Sequence, residues 1–598
     1  MNKNLFLLAP SLFVLSLAAV QKANQSQESL SSPIPPATES RVASMESAVV
    51  PRETADIIYI NGRVITVDSA NTVAQALAVK DGRILAVGAT ASIKKLKGTA
   101  TQVVDLQGKT LIPGFIDGHS HFMGLGRSKA VDLSAPPVGT VKSIPDIVAA
   151  LQAFKEKNHI KDGEWITGFG YDQDQLAEGR HPVKEDLDAA FPNNPVALQH
   201  VSGHMVLVNS YALRVSGIDS TTKNPAGGMI VRKPGTNEPT GLLQEHAGAL
   251  LKRERNKKPT WEEQLQEIKD QEQFYASNGI TTAQEGRTGF ESLELLRKAA
   301  AADALYIDIE SLPAYETVDR LLADTAAYHF GVLDHHLKLA GTKLIADGSP
   351  QGKTAYFTRP YLVDVPGCTG DDCRGIPTVT QEQFNAAVAK DFKNNIRFFV
   401  HCNGDATIDM YIKAIENADR ELNTTSLGRR PVVIHAQFTR ADQLDKYKEL
   451  GMLPSFFTNH TFFWGDVHVR NLGKERGWFE SPVKSALKRG IVITNHTDYG
   501  VTPLSQLFLL WTSVNRVSRT GQVIGPDERL TPIEGLRAIT INGAYEYFEE
   551  KTKGSLEKGK LADLVILSDD PTTIDPLKIK DIHVLETIKE GKTIYRKN

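Results

Sequence analysis

The sequence is poor in cysteine, and its charges nearly cancel. Only 3 of 598 residues are Cys, which excludes a disulfide-framed fold and a zinc module built from cysteine ligands. Lys plus Arg (68) and Asp plus Glu (71) give a net charge of −3, so no strong field would draw the chain onto nucleic acid or an anionic membrane. With 41% hydrophobic and 23% charged residues, the composition is that of a globular chain able to bury a large core.

An apolar run long enough to span a membrane is also missing. Residues 5–20 are almost wholly apolar, but this run is shorter than the roughly 20 residues of a spanning helix and contains Pro10. We therefore predict a signal peptide over 1–23 and an exported protein, periplasmic or secreted, with an uncleaved N-terminal anchor as the alternative. Residues 24–54 are rich in Ser, Gln, Pro and Glu and are predicted to form a disordered linker.

Two of the three cysteines lie close together in the sequence. Cys368 and Cys373 flank the letters TGDD in a loop rich in Gly and Asp, and in an oxidising compartment they could close a small disulfide. Two free surface thiols are the alternative. Cys402 is left without a partner.

Both ends of the chain beyond the linker are rich in short strands. Alternating apolar runs such as DIIYINGRVITVD and AQALAVKDGRILAVG are interrupted by Asn-Gly at 61–62 and Asp-Gly at 81–82, each of which predicts a hairpin. Short alternating apolar runs of the same kind recur only near the C-terminus, in GSLEKGKLADLVILSDD and HVLETIKEGKTIYRKN. We predict that 55–112 and 554–598 together form one small β-sandwich domain, because the early strands would otherwise lack partners.

Between these ends, eight apolar strand-like runs alternate with helical patterns, which is typical of βα units. In chain order the runs read FIDGHSH, GITTAQE, LYIDIESLP, LKLAGTKLIADG, NIRFFVHCNGD, PVVIHAQF, MLPSFFTNH and IVITNHTD. Eight is the strand count of a closed (β/α)8 barrel, so we predict an α/β protein with a TIM-type barrel over 113–553. That span exceeds the roughly 250 residues typical of the fold, and the surplus at about 130–275 is predicted to be a subdomain inserted after the first strand.

Histidines fall at the ends of these runs. His119 and His121 stand two residues apart at the end of the first run and therefore point to one face. His401 ends the fifth run, His435 lies in the sixth and Asp498 ends the eighth. The carboxyl ends of barrel strands carry the active site, and several imidazoles with a carboxylate form a divalent metal site of the zinc type. We predict one or two bound ions, Zn²⁺ first, with other divalent metals open.

Lys343, in the fourth run, is a further candidate ligand. A bare ammonium beside metal ligands would be costly, and reaction with CO₂ would turn the amine into an anionic group that bridges two cations. The alternative is a lysine whose head pairs with Asp347 or with solvent. Two other histidines each allow two interpretations. His496 either fixes Asp498 or fills a layer of the barrel interior. His460 lies either at the barrel mouth or in a loop.

Several longer motifs point to a known family. The chain contains LIPGFIDGHSH, DLDAAFPNNPVALQHVSGHMVLVNSYAL, NPAGGMIVRKPGTNEPTGLLQE, TKLIADGSPQGKTA, VHCNGDATID and VVIHAQF. With the flanking strands at both ends, these motifs resemble the amidohydrolase superfamily, in particular its amidohydrolase 3 branch of N-substituted formamide deformylase-like metal-dependent hydrolases. The resemblance runs from about residue 55 to the C-terminus.

The resemblance implies a role for each candidate ligand. His119 and His121 would bind the more buried metal, and His401 and His435 the second one. Lys343 would be carboxylated and would bridge the two.

The resemblance also implies substrate contacts in the inserted part. These contacts are expected from His204, Asn209, Tyr171 and Asp172. The chain departs from the family pattern in three places, with SGH for DGH, HCNGD for a motif closer to HAIGD, and NHTDYGV where GSDxP is usual. The departures bear on substrate preference more than on hydrolysis itself.

These expectations combine into a predicted function. The chain would be a metal-dependent hydrolase of a non-peptide C–N bond in a small molecule, an N-substituted amide or formamide. Asp498 would contact metal and act as general base, and His435 or His460 would hold the carbonyl group. The alternatives are a lactonase, esterase or phosphoesterase on the same barrel, a decarboxylating variant, or a binding or regulatory protein without activity. Assembly into a homo-oligomer is open.

Overall fold

The computed structural model describes residues 53–124, 130–253 and 259–597, which form a mixed α/β structure. The predicted signal peptide (1–23) and nearly all of the predicted linker (24–54) lie outside these ranges. Within them, no helix is both long and apolar enough to cross a membrane.

Strands occur at both ends and in the centre of the described chain. They are β1 (Ala55–Ile60), β2 (Arg63–Ile65), β3 (Val73–Ala74), β4 (Ala76–Lys80), β5 (Arg83–Gly88), β6 (Lys97–Asp105), β7 (Thr110–Pro113), β8 (Phe115–Ile116), β9 (Val131–Asp132), β10 (Ile166–Tyr171), β11 (Val196–His200), β12 (Met205–Val208), β13 (Gly228–Arg232), β14 (Pro239–Glu245), β15 (Ile280–Thr288), β16 (Asp308–Pro313), β17 (Leu333–Asp334), β18 (Leu337–Leu339), β19 (Thr342–Ile345), β20 (Phe398–Cys402), β21 (Val432–His435), β22 (Leu453–Phe456), β23 (Thr494–Asn495), β24 (Leu564–Leu567), β25 (Val584–Lys589) and β26 (Lys592–Arg596).

Several helices begin where the sequence offers a capping side chain. The hydroxyls of Thr260, Thr380 and Thr531 each accept a hydrogen bond from the backbone N–H three residues later and belong to capping boxes. The α-helices are α1 (Thr90–Ile93), α2 (Ile144–Lys157), α3 (Lys184–Asp188), α4 (Ser210–Ser216), α5 (Trp261–Ser277), α6 (Phe290–Ala301), α7 (Val318–Leu322), α8 (Gln381–Lys393), α9 (Asp405–Glu421), α10 (Ala441–Leu450), α11 (Asn459–Phe463), α12 (Gly465–Leu472), α13 (Lys474–Trp478), α14 (Val483–Lys488), α15 (Gln506–Asn515), α16 (Pro532–Ala538) and α17 (Ile541–Glu546).

The two ends of the chain form two sheets that share a hydrophobic cluster. One sheet has the order β5-β4-β1-β6 and comes from the N-terminal part alone. The other has the order β26-β25-β24-β7-β2-β3 and therefore pairs strands from both ends. The cluster includes Tyr59 and Leu77 of the first sheet and Leu111 and Leu564 of the second. Burial of this shared apolar surface holds the two sheets together.

One of the two predicted hairpins is present, and the other prediction is wrong. At 81–82, β4 and β5 pair antiparallel with Lys80 opposite Arg83. At 61–62, the chain leaves the first sheet after β1 and enters the second sheet at β2. A side chain on Gly62 would collide with Leu106, so this glycine permits a close crossing between sheets.

The segment between β8 and β15 has a sheet of its own. Its order is β13-β14-β12-β11-β10-β9, and α2, α3 and α4 lie in the same segment. Leu151 of α2, Leu187 of α3 and Leu198 of β11 share one buried cluster. Helix α5, most of which falls inside the predicted insert (130–275), contacts β15 and β26.

Mostly parallel strands form the centre of the molecule in two sheets. The first has the order β17-β18-β16-β15-β8, and the second has the order β19-β20-β21-β22-β23. The fourth predicted run is interrupted at Ala340 and Gly341 and forms the two strands β18 and β19. A side chain on Gly341 would collide with the carbonyl oxygen of Arg397. An isolated parallel bridge between Ala314 and Lys343 links the two sheets. The runs with candidate ligands therefore direct their carboxyl ends to the same side.

A buried ion network joins the C-terminal strands to β16. The carboxylate of Asp308 lies 2.6 Å from Nζ of Lys553 and 2.7 Å from Nζ of Lys589. Lys589 also lies 2.9 Å from Asp563, and all four side chains are buried. Burial alone would raise the pKa of Asp308, but the two ammonium groups outweigh it and hold the pKa well below its ordinary value.

Asp308→Ala should lower the free energy of unfolding by about 3–5 kcal/mol, because it removes the carboxylate that two buried ammonium groups share. Denaturant unfolding of the purified protein measures the change. The matched control is Asp319→Ala, since Asp319 pairs with Lys390 on the surface and water can replace that contact. Equal stability of the two variants would contradict the role given to the network.

Candidate metal centre

Three of the predicted ligands lie together at the carboxyl ends of the central strands. His119 and His121 follow β8, and Asp498 follows β23. Oδ1 of Asp498 lies 3.2 Å from Nε2 of His121 and 3.6 Å from Nε2 of His119. One ligand atom from each residue lies within 4.8 Å of the other two, so a single cation can reach all three.

Backbone strain accompanies this arrangement. Asp498 has a φ of 48° and His435 a φ of 71°, a region in which residues other than glycine are uncommon. The N–H of Asp498 donates to the carbonyl oxygen of His119 at 2.9 Å, which fixes the strained turn beside the first strand. Strain kept at such positions is typical of functional sites.

Lys343 lies beside the same ligands. Its Nζ is 3.4 Å from Nε2 of His119, and burial lowers its pKa to about 7. The structure does not pair Lys343 with Asp347, whose carboxylate accepts hydrogen bonds from three backbone N–H groups. A neutral amine is therefore accessible at position 343 near neutral pH.

A chain of imidazoles continues from this group. Nδ1 of His401 lies 2.9 Å from Nε2 of His435, and Nδ1 of His435 lies 3.0 Å from Nε2 of His496. The ring of His435 is 5.4 Å from that of His119, so the two groups adjoin. His496 also contacts the hydroxyl of Ser455 at 3.0 Å. The hydrogen bonds of His496 go to His435 and Ser455, and both interpretations of its role toward Asp498 stay predictions.

The protonation of these groups suits a bound cation. Burial lowers the pKa values of His119, His401 and His435 well below the ordinary value, so the imidazoles are neutral, as metal binding requires. Burial would raise the pKa of Asp498, but neighbouring groups, His121 first, outweigh it and lower the pKa. Within the described residues, Oδ1 of Asp498 has no hydrogen-bond partner. Neutral nitrogens beside an unpaired carboxylate oxygen fit a divalent metal of the zinc type.

Gln284, which the sequence analysis did not single out, orients His119. Its Oε1 lies 2.5 Å from Nδ1 of His119, and its Nε2 donates to two further oxygens. These donations fix the amide, so Nδ1 of His119 carries the hydrogen and Nε2 is left for a metal. The available sequence signal is a polar side chain near the carboxyl end of the second run, GITTAQE.

A cleft opens beside the ligands. Its lining includes Asp498 and two predicted substrate residues, His204 and His460. Nδ1 of His204 lies 2.8 Å from Oε2 of Glu245. Burial would lower the pKa of His204, but the Glu245 carboxylate outweighs it and raises the pKa. Neither Glu245 nor Asn403, which also lines the cleft, was predicted from the sequence.

The other three predicted substrate residues do not line the cleft. Asn209 is fully buried and caps α4: its Oδ1 accepts from two backbone N–H groups and its Nδ2 donates to two carbonyl oxygens. Tyr171 packs in the core of the insert, and its hydroxyl contacts His181. Asp172 is buried and accepts a hydrogen bond from Nε1 of Trp464 at 2.9 Å. Structural contacts occupy these groups, and their contact with the substrate stays a prediction.

Cys368 and Cys373 are joined by a disulfide bond, with an S–S distance of 2.07 Å and Cα atoms 5.9 Å apart. Cys402 is buried and free. A side chain on Gly367 would collide with Met229, so the loop that carries the disulfide lies against β13 of the insert.

The carboxyl ends of the parallel strands therefore hold a buried carboxylate, neutral imidazoles and an adjoining cleft. Together these features define a candidate hydrolytic metal centre. Residues 102–595 match the sequence profile of the amidohydrolase family. The chain belongs to this family.

Known relatives cover nearly the whole chain. N-substituted formamide deformylase from Arthrobacter pascens is 27% identical over 566 residues, 91% of this chain and 98% of that protein. The protein LONG AFTER FAR-RED 3 from Arabidopsis thaliana is 31% identical over 562 residues, 90% of this chain and 92% of that protein. A crystal structure of a metal-dependent hydrolase from Pyrococcus furiosus is 25% identical, covers 86% of this chain and 100% of its own, and superposes with a TM-score of 0.64. Family membership supports a metal-dependent hydrolase.

His119→Asn should remove most of the bound metal, because it takes away a ligand nitrogen that Gln284 holds in place. Elemental analysis of protein purified without chelators measures the metal per chain, and circular dichroism checks the fold. The control is His335→Asn, since His335 is half exposed and lies outside the site. Full metal retention in His119→Asn would contradict the assignment.

Proposed function

We propose that the protein hydrolyses a non-peptide C–N bond in an N-substituted amide or formamide, with Asp498 as general base. The observation that carries the proposal is the buried Oδ1 of Asp498, which lies beside the imidazoles of His119 and His121 and has no hydrogen-bond partner in the part of the chain that the structure describes. A buried carboxylate that stays ionised is suited to bind a cation and to accept a proton. The likeness to a formamide deformylase over 98% of that protein supports the choice of bond.

The ligands divide into two sets. His119, His121 and Asp498 would hold one divalent ion, and His401 with His435 would hold a second. A bound metal would lower the pKa of a water molecule from about 15.7 towards about 7 and would polarise the scissile carbonyl group. Zn²⁺ is proposed because imidazole nitrogens and a carboxylate oxygen are its usual ligands.

The protein's own residues would bind the substrate and move protons. Asp498 would accept a proton from the attacking water and pass it to the leaving amine. His460 lines the cleft and is better suited to hold the substrate than His435, whose two ring nitrogens contact other histidines. Phe457 and Val501 in the cleft wall would exclude bulk water during the reaction.

A carboxylated Lys343 is proposed as the bridge between the two ions. The pKa of about 7 supports it, because CO₂ reacts with a neutral amine. Protein purified without chelators should then carry about two metal equivalents, and Lys343→Met about one, by elemental analysis. Lys390→Met, on the surface, is the control. About one equivalent in the unaltered protein would remove the bridge and leave a single-metal hydrolase.

We also infer that the eight central strands close into a barrel and that the two terminal sheets form a sandwich. The hydrogen bond from Asp498 N to the carbonyl oxygen of His119 supports closure, because it joins the segments that follow the last and first strands. The apolar cluster shared by the terminal sheets supports the sandwich.

Export to the periplasm or the exterior is proposed from the apolar run at 5–20. The disulfide between Cys368 and Cys373 supports it, since such bonds persist in oxidising compartments. Cell fractionation followed by mass spectrometry should find a mature chain that begins near residue 24 outside the cytoplasm. A full-length chain confined to the cytoplasm would refute export.

Asp498→Asn should lower kcat on an N-substituted formamide by about 10²–10⁴-fold, the usual contribution of a general base. Metal content should be largely kept, because asparagine still offers an oxygen atom at the position of Oδ1 and both histidine ligands remain. Steady-state kinetics on the metal-loaded protein measure the change, with Asp319→Asn as a surface control. Retained turnover in Asp498→Asn would exclude it as the base.

A substrate panel separates the remaining alternatives. The metal-loaded protein should prefer N-substituted amides over a lactone and a phosphodiester of similar size. Preference for the lactone or the phosphodiester would favour an esterase-type hydrolase on the same fold. No turnover with zinc, cobalt or manganese would favour a binding or regulatory protein.

A further inference from the structure

A second cavity lies between helix α13 and the segments that follow β20 and β21. We call it the arginine cavity, and its lining includes Arg476 of α13, Asp405 after β20 and Phe438 after β21. Its volume is about 390 Å³, within the range of about 300–1,000 Å³ typical of small-molecule sites. Among the described residues, none lines both this cavity and the cleft beside the candidate metal ligands. The arginine cavity is therefore a separate candidate site for a ligand.

Three phenylalanine rings line the cavity, those of Phe357, Phe438 and Phe479. The rings of Phe357 and Phe438 pack edge to face with centroids 5.3 Å apart. Both side chains are buried and share a hydrophobic cluster with Tyr361, so close packing holds this part of the wall in place. A wall of this kind binds the hydrocarbon part of a ligand by removing it from water.

The acidic groups of the wall are already matched by two of its three arginines. Arg359 lies 3.4 Å from the carboxylate of Glu475, and Arg440 lies 3.2 Å from that of Asp405. All four of these residues line the cavity. The carboxylate of Asp405 also accepts hydrogen bonds from the backbone N–H and the hydroxyl of Thr358. A cationic ligand would therefore find no free carboxylate among these groups.

The third arginine, Arg476, forms no ion pair with any described residue. Its guanidinium donates to the backbone carbonyl oxygens of Leu472, Arg359 and Pro360 at 2.9, 3.1 and 2.8 Å, which leaves N–H groups over for a ligand. Burial lowers the pKa of Arg476, and the positive charge of Arg359 lowers it further. A half-buried cation without an anion is costly, and a bound anion would offset this cost.

The unmatched charge adjoins the aromatic wall, because the guanidinium carbon of Arg476 lies 5.7 Å from the centre of the Phe357 ring. We propose that the arginine cavity binds a small carboxylate with an aromatic body, which packs on the phenylalanine rings and pairs with Arg476. A neutral compound of the same shape would gain only the apolar contacts. An amine of that shape would bring a second positive charge beside Arg476, which is unfavourable.

Three compounds of one shape test this proposal: 3-phenylpropanoate, 3-phenylpropan-1-ol and 3-phenylpropan-1-amine. Isothermal titration calorimetry on the metal-loaded protein measures their dissociation constants. The carboxylate should bind about tenfold more tightly than the alcohol, or better, because a hydrogen bond between charged groups contributes at least that factor. The amine should bind no more tightly than the alcohol.

Two variants assign the binding to the arginine cavity. Ala441→Trp fills the cavity from an exposed residue of its wall and should abolish binding of the carboxylate. Arg476→Gln should weaken it to the level of the alcohol. The matched controls are Ala302→Trp, at an exposed position outside the cavity, and Arg537→Gln. Arg537 also donates to two backbone carbonyl oxygens but does not line the cavity, and both controls should keep the affinity.

The candidate metal centre is the other place where a carboxylate could bind, and His119→Asn separates the two. Binding at the arginine cavity should survive in His119→Asn. Three results would overturn the proposal. The first is binding that is lost in His119→Asn but kept in Ala441→Trp, and the second is absent binding of the carboxylate or an affinity equal to that of the alcohol. The third is tighter binding of the amine than of the carboxylate.

Discussion

The buried carboxylate of Asp498 needs partners of opposite or partial positive charge, because an isolated ionised carboxylate away from water is costly. The nearest imidazoles are those of His121 at 3.2 Å and His119 at 3.6 Å, which follow the first central strand, whereas Asp498 follows the last. The site therefore exists only when the two ends of the strand series meet. The φ of 48° at Asp498 persists because the hydrogen bond to His119 and the close packing around it hold the turn.

Three histidines of the site have a ring nitrogen directed by a partner from elsewhere in the chain. Gln284 holds His119, His496 holds His435, and Glu245 holds His204. Such partners set the tautomer and the ring orientation, which leaves the other nitrogen for a metal or a substrate. Most of these partners are uncharged, and this limits the cost of placing so many ionisable groups in one buried region.

The sequence was sufficient to locate the groups whose position follows from strand periodicity. His119, His121 and Asp498 end apolar runs, and the structure brings them together because carboxyl ends of parallel strands share one side. Residues whose roles depend on tertiary contacts could not be found in this way. From the sequence alone, Asn209 could face the substrate or cap a helix. Only the four hydrogen bonds of its amide identify it as a helix cap. Likewise, Asn-Gly at 61–62 is a typical hairpin sequence, but in the structure the chain crosses from one sheet to the other there. Tertiary packing determines which strands pair.

The candidate metal ligands and the cleft wall come from different parts of the chain. The ligands lie on the central strands, whereas the cleft wall is formed by His204 of the insert, by residues 349–351 after β19 and by His460 after β22. These walls are coupled, since Asp172 of the insert bonds Trp464, whose ring packs 4.6 Å from that of His460. Asp172 therefore influences the cleft through the position of α11 although it does not line it. A change in the insert can alter which substrate fits while the ligand set stays intact, which is how one fold accommodates many hydrolytic reactions.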